Sequence, residues 1–175
     1  MSKSVKSKGR LHLPFYRLSL YFVNDWLFVM LLFGVIPVPL VFSKRFLGSR
    51  VTGTSMFFAI FIHPDLKDDL SVIVHESVHT RQIYRSAFFH FFLYNFCDNY
   101  RYNAEIEAYA YQILFLSTKD GQLKFNKFDG ELILNRAAMH ISKYPPFNAK
   151  GYTAVRAHLK KELIRLHKEY EKFVL

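Results

Sequence analysis

Two histidines four residues apart constrain this chain more than any other feature. The stretch Val74–His79 contains H-E-x-x-H, and a largely apolar run, Leu70–Val74, leads into it. On a helix, side chains four residues apart lie on one face, so His75 and His79 can present both imidazoles to one metal ion. Glu76 lies about 100° further round the helix and can hold a water beside that ion. The spacing therefore predicts an α-helix with a metal site on one face.

Zinc is the metal that this pair of donors suits. It binds neutral imidazole nitrogen, tolerates an open coordination position and lowers the pKa of a bound water. Glu76 would take a proton from that water and pass it to a leaving amine, which is the chemistry of zinc peptidases. The apolar flanks indicate a buried helix, and Asp68 and Asp69 stand where they would cap its start. The alternative is an amphipathic helix with two histidines and a solvated glutamate.

A third protein ligand is needed, and a second helix-like stretch, residues 103–112, offers two carboxylates. Glu105 and Glu107 would be about 200° apart on a helix, so only one of them can face the ion. Each is followed three residues later by an alanine, which would let two helices pack closely, so spacing leaves both open. His90 would be about 16 Å beyond His79 on a continuous helix and cannot reach the same ion.

Together these residues resemble a known family. The segment His75–Gln82 reads H-E-x-x-H-x-x-Q, and Tyr102–Tyr109 reads Y-x-x-E-x-E-A-Y. Both segments look like those of the small zincin-like metallopeptidases, of the gluzincin type, that occur in bacterial and phage genomes. The resemblance covers residues 54–116, about a third of the chain.

The resemblance implies a ligand set and a general base. Glu76 would be the base, Glu107 an alternative ligand, and the zinc ligands would be His75, His79 and Glu105. The chain departs from the family at two positions. Ala104 replaces an asparagine before the third ligand, and Tyr109 replaces an aspartate that usually orients the first histidine.

The function expected from these features is zinc-dependent hydrolysis of peptide bonds, with Zn²⁺ as cofactor and a peptide or protein as substrate. Such a site also needs a donor that stabilises the tetrahedral oxyanion. The candidates for this donor are Tyr102, Tyr109 and His140. A different class of function is the alternative: a zincin-like fold that serves as a non-catalytic binding or virion structural module with a protein assembly partner.

The expected fold is α+β and zincin-like, mostly helical, with a small sheet beside the H-E-x-x-H helix. At 175 residues the chain has the length of one domain, 1–175, with a basic N-terminal tail at about 1–12. A strand is predicted at Ser55–His63. Helices are predicted at about 21–33, 69–90, 99–118, 131–143 and 152–173, the last of them basic and amphipathic.

Charge and apolar content bear on location and partners. The net charge of +10 is concentrated at the two ends, which favours nucleic acid, an anionic surface or an acidic partner. The run Trp26–Phe42 has 17 residues without a charge, so residues 20–42 are either a buried core segment or a membrane contact. The one cysteine, Cys97, excludes an internal disulfide and fits a reducing compartment. The expected location is therefore cytoplasmic or virion-associated, with membrane association as the alternative.

Overall fold

The computed structural model divides the chain into two compact units, Met1–Asp69 and Leu70–Leu175, which we call the sheet unit and the helical unit. The residues that it describes are 10–13, 18–22, 27–32, 36–43, 47, 53–56, 58–86, 89–119, 122–123, 127–143 and 147–174. Over these residues the secondary structure is α+β and mostly helical, as the sequence predicts.

The sheet unit contains one six-stranded sheet. Its strands are β1 (Arg10–Leu13), β2 (Leu18–Phe22), β3 (Leu27–Leu32), β4 (Ile36–Phe42), β5 (Gly53–Ser55) and β6 (Ile60–Ile62). Their order in the sheet is β1-β2-β3-β4-β6-β5, and neighbours are antiparallel except for the parallel pair β4 and β6. Side chains alternate across a strand, and in β4 the buried set is Val38, Leu40 and Phe42.

The predicted core helix at 21–33 is wrong, because the described part of this segment is extended. The strands β2 and β3 are antiparallel neighbours, and β3 also pairs with β4. Asn24 and Asp25, which are turn-forming residue types, separate two apolar runs that give strands of five and six residues. Runs this short suit strands, and apolar periodicity alone does not distinguish a buried strand from a buried helix.

The proline-containing segment that follows is extended. Pro37 and Pro39 lie in β4 opposite Leu31 and Val29 of β3. Proline has no N–H to donate to a neighbouring strand. The parallel pairing of β4 with β6 begins at Leu40, past both prolines.

The strand predicted at Ser55–His63 is divided between two strands. β5 ends at Ser55, β6 begins at Ile60, and the two pair antiparallel. β6 lies between β4 and β5, and all three of its residues are buried. It is therefore an interior strand with both edges paired.

Two further expectations concern the N-terminal part of the chain. The predicted tail at 1–12 is wrong at its C-terminal end, because β1 begins at Arg10; residues 1–9 lie outside the described residues. The uncharged run Trp26–Phe42 supplies β3 and β4. Within the described ranges, none of the helices combines the length and the apolarity that crossing a membrane requires.

In the described part of the helical unit there are five α-helices and a short hairpin. The helices are α1 (Leu70–Ser86), α2 (Phe89–Phe96), α3 (Asp98–Leu116), α4 (Lys127–Ser142) and α5 (Gly151–Val174). The hairpin pairs β7 (Thr118–Lys119) with β8 (Gln122–Leu123). The helices predicted at 99–118, 131–143 and 152–173 are confirmed within a few residues.

The helix predicted at 69–90 is wrong at its C-terminal end. α1 ends at Ser86, and a separate helix, α2, begins at Phe89 and carries His90. Asp68 and Asp69 directly precede α1, where the sequence places them. Because α1 ends at Ser86, the side chains of α2 do not continue the helix face that carries His75 and His79.

α3 is the centre of the helical unit, since α1, α2, α4 and α5 all contact it. The last predicted helix is amphipathic in the structure: α5 packs through residues three or four apart, and the buried stripe is Val155, Leu159, Leu163, Leu166 and Tyr170. Burying one such side chain contributes about 1.5–3 kcal/mol relative to leaving it exposed. This packing holds α3, and the carboxylates that it carries, in a defined position.

Candidate metal centre

The two histidines of the H-E-x-x-H stretch meet on one face of α1. His75 and His79 are one helical turn apart, and their Nε2 atoms are 3.2 Å apart. The ring centres are 4.9 Å apart, with an interplanar angle of 74°. Both Nε2 atoms therefore lie where a single ion could contact them, as the sequence predicts.

α3 brings Glu105 to the same position. Its Oε1 lies 3.5 Å from Nε2 of His79, and its Oε2 lies 3.7 Å from Nε2 of His75. The three residues offer ligand atoms that all lie within 4.8 Å of one another. Two ligand atoms of a tetrahedral zinc, each about 2.0–2.1 Å from the ion, are about 3.4 Å apart. The spacing and the donor types of this cluster therefore fit zinc.

Glu107, the alternative third ligand, has other partners. Its Oε2 accepts a hydrogen bond of 2.8 Å from Nε2 of Gln82, and its Oε1 accepts one of 3.3 Å from Nη1 of Arg85. Side chains two residues apart on a helix point in directions about 200° apart, so Glu105 and Glu107 lie on different faces of α3. Among the residues that the structure describes, the group able to hold a metal contains Glu105 and not Glu107.

Gln82 connects the outer side of His79 to α3. Its Oε1 lies 3.0 Å from Nδ1 of His79, where it can accept the Nδ1 proton and leave the Nε2 lone pair for a metal. Its Nε2 donates to the carbonyl oxygen of Ala104 at 3.1 Å and to Glu107. One amide therefore sets the tautomer of His79 and ties α1 to the residue preceding Glu105.

We expect Gln82→Met, which keeps the side-chain length but removes the amide, to weaken zinc binding by about 10–100-fold, the usual effect of losing such an outer partner. Competition between the protein and a chromophoric chelator measures the zinc Kd. The matched control is Arg85→Gln. It removes the exposed ion pair between Arg85 and Glu107, the carboxylate that Gln82 also contacts, and should change Kd less than about threefold. Equal zinc affinity of Gln82→Met and the parent protein would contradict this role.

His75 is held neutral by its surroundings. Burial and the proximity of His79 lower the pKa of His75 to about 4, although Glu105 and Gln112 act in the opposite direction. Gln112 is itself anchored by a hydrogen bond of 3.1 Å from its Nε2 to Oγ of Ser71. At neutral pH the imidazole of His75 is therefore unprotonated, which is the form that binds a metal.

His79 and Glu105 are shifted towards their charged forms. Burial lowers the pKa of His79, but the carboxylates of Glu105 and Glu76 outweigh it, and the pKa ends above its ordinary value. Burial raises the pKa of Glu105, but His79 and His75 outweigh it, and the pKa ends below its ordinary value. The cluster thus favours positive charge next to Glu105, which a proton or a metal cation can provide.

Glu76 lies on α1 next to the two histidines. Its side chain is buried, and its charge contributes to the raised pKa of His79. Its backbone carbonyl accepts a hydrogen bond of 3.1 Å from Oγ1 of Thr80 inside the helix.

Tyr94 belongs to this site, and sequence reasoning missed it. Its hydroxyl donates a hydrogen bond to Oε1 of Glu105, and its ring centre lies 5.9 Å from that of His79. It also stacks on His90, four residues earlier on α2, at 5.5 Å. A continuous helix would carry residue 94 away from His79, whereas the break after α1 returns it. The only signal in the sequence is the four-residue spacing of His90 and Tyr94.

The three candidates for the oxyanion donor are placed differently. The ring of Tyr109 lies 4.6 Å from that of His75 and 5.9 Å from that of His140. His140 is exposed, and its charge lowers the pKa of His75. The ring of Tyr102 instead packs against Phe147 and His158. Tyr109 and His140 therefore adjoin the cluster, and Tyr102 packs elsewhere on α3.

Comparisons with known proteins add no family to this description. No protein-family model, curated protein or solved structure matches the chain.

Proposed function

We propose that this protein is a zinc-dependent metallopeptidase of the zincin-like, gluzincin type. One observation carries the proposal: two imidazole nitrogens and a carboxylate converge from α1 and α3, at separations of 3.2, 3.5 and 3.7 Å. The residues that would hold the metal are His75, His79 and Glu105. Three protein ligands leave one position open, which distinguishes catalytic zinc sites from structural ones.

The donor set supports zinc over harder divalent cations. Two imidazoles and one carboxylate suit zinc, whereas magnesium and calcium prefer oxygen ligands. When bound, zinc supplies Lewis acidity toward a water and toward the oxygen of a peptide carbonyl.

Glu76 carries the proton transfers in the proposed reaction. Its carboxylate takes a proton from the attacking water as the water oxygen bonds to the peptide carbonyl carbon. It then gives that proton to the departing amide nitrogen as the C–N bond breaks, which releases a carboxylic acid and an amine. Both transfers need a carboxylate that is close to the ligands without being one of them, and the buried Glu76, next to His75 on α1 and outside the ligand group, supports this role.

Donors at the edge of the cluster support the developing negative charge on the carbonyl oxygen. Tyr109 lies against His75, and the ring of His140 lies 5.9 Å from that of Tyr109, so these two side chains are the donors nearest to the ligands. Donors placed before the reaction stabilise an oxyanion without reorganising during it. Tyr94 also orients Glu105 through its hydrogen bond.

A chelation experiment tests the proposal. The full chain is stripped of metal, incubated with a complex mixture of peptides, and assayed by mass spectrometry for new peptide termini. We expect no cleavage by the metal-free protein and restoration of cleavage by one equivalent of zinc, but not by magnesium. Cleavage that persists without metal, or zinc loading that gives no new termini, would contradict the proposed activity.

A further inference from the structure

α2 exposes an unusual amount of apolar surface for so short a helix. Four of its eight residues are phenylalanines with large exposed fractions: Phe89 73%, Phe91 67%, Phe92 59% and Phe96 81%. Leu93 is exposed as well. Residues 89, 92, 93 and 96 have the spacing of one helix face, so this is a continuous apolar stripe and not a set of scattered residues. A contiguous exposed apolar patch marks an interaction site.

The opposite face of α2 is already occupied. His90 is buried, its Nδ1 lies 2.8 Å from the hydroxyl of Tyr100, and Tyr94 contacts Glu105. These contacts fix the rotation of the helix about its axis. The apolar stripe is therefore held outward by polar contacts on the inner side.

The stripe itself, residues 89, 92, 93 and 96, offers no polar side chain for recognising a specific protein surface. α2 has no charged residue, and the amide of Asn95 donates its hydrogen bond of 2.8 Å back to the carbonyl of Phe91 within the helix. Specific protein interfaces combine apolar anchors with polar groups that fix orientation. A face of aromatic and aliphatic side chains suits a partner that needs no fixed orientation, such as the acyl region of a lipid bilayer.

Charge favours an anionic bilayer over a second copy of this chain. The net charge of the protein is +10, so two copies repel each other. Three residues after α2 ends, Oδ1 of the neutral Asn99 accepts a hydrogen bond of 3.2 Å from Nζ of Lys150, which also lies 4.6 Å from the ring centre of Tyr102. Among the described residues Lys150 has no acidic partner, because the nearby Asp98 is paired with Arg101 at 2.9 Å. A cation beside an apolar stripe attracts anionic headgroups.

We propose that the exposed stripe of α2, formed by Phe89, Phe92, Leu93 and Phe96, docks the protein on the surface of an anionic lipid bilayer. The phenylalanine rings enter the boundary between headgroups and acyl chains while α2 lies parallel to the membrane plane. This surface is distinct from residues 20–42, which form strands where described. The proposal does not depend on zinc binding or on peptidase activity.

Vesicle sedimentation tests this proposal with the full chain. The probes are vesicles of phosphatidylcholine alone and vesicles with about three tenths phosphatidylglycerol. We expect the anionic vesicles to bind the protein about tenfold or more tightly than the neutral ones, with binding that weakens as salt is added. The double variant Phe92→Ser/Phe96→Ser should lower binding to anionic vesicles by about tenfold or more, with or without a zinc chelator.

The matched control is Leu132→Ser/Ile164→Ser, which replaces two exposed apolar side chains on α4 and α5. This variant should bind vesicles within about twofold of the parent protein, and circular dichroism verifies that both variants are folded. Absence of binding to anionic vesicles overturns the proposal. Equal losses in the two double variants also overturn it. If the parent protein is a dimer that binds no vesicles, and Phe92→Ser/Phe96→Ser makes it monomeric, the face is assigned to a second copy of this chain instead.

Discussion

Glu76→Gln is expected to retain zinc while lowering kcat for peptide hydrolysis by about 10²–10⁴-fold, the range that a general base contributes. Glutamine has nearly the same shape as glutamate but cannot accept the proton of the attacking water. The side chain of Glu76 is buried beside His79 without belonging to the ligand group, so its replacement leaves the two imidazoles and Glu105 in place. Chemistry and metal binding are thereby separated in one variant.

The measurement pairs steady-state kinetics with zinc content on the same preparation. The matched control is Glu107→Gln, because Glu107 is a carboxylate on the neighbouring helix that contacts Gln82 and lies outside the ligand group. An amide at 107 can still accept from Gln82, and kcat should fall less than about tenfold. A Glu76→Gln protein that cleaves as fast as the parent would exclude Glu76 as the base.

Glu105→Ala is expected to abolish stoichiometric zinc binding, whereas Glu107→Ala retains it. Glu105 supplies the only carboxylate in the described group of three ligands, and two imidazoles on one helix bind zinc weakly without it. Glu107 contacts the site through its hydrogen bond with Gln82 and lies outside the ligand group. Elemental analysis after dialysis should give about one zinc per chain for the parent and for Glu107→Ala, and close to none for Glu105→Ala.

Two outcomes would change the assignment. Zinc lost from Glu107→Ala and kept by Glu105→Ala would move the third ligand by two residues and contradict the geometry of α3. A parent protein that takes up no zinc, even when zinc is added, would make the H-E-x-x-H stretch a coincidence on a core helix. Circular dichroism of both variants separates loss of the ligand from loss of the fold, since Glu105 packs among His75, His79 and Tyr94.

The part of the site that could be predicted from the sequence is the part that depends on local helical geometry. His75 and His79 converge because residues four apart on a helix share a face. Glu105 and Glu107 were left open by spacing, and the resemblance favoured the one that the structure brings to the histidines. The buried stripe of α5 was predictable for the same reason, since periodicity of 3.6 residues identifies a helix face.

The parts that could not be predicted depend on contacts between elements. The hydrophobicity of the mostly apolar segment 21–33 is compatible with a buried helix and with a buried strand. Pairing with neighbouring strands decides between the two. Tyr94 reaches Glu105 because α1 ends at Ser86. The sequence between α1 and α2 contains neither proline nor glycine, so no residue type there predicts the end of the helix. The role of Gln82 depends on the crossing of α1 and α3, although its spacing of three residues from His79 was visible.

The ligands of the proposed site lie on two helices, with 25 residues between His79 and Glu105, so a bound ion would act as a cross-link within the helical unit. A metal that binds only the folded chain adds its binding free energy to folding, by about 2.7 kcal/mol when free metal is a hundredfold above Kd. A typical domain is stable by only about 5–15 kcal/mol. The supply of zinc would then regulate how long this protein survives heat and proteolysis, independently of any substrate.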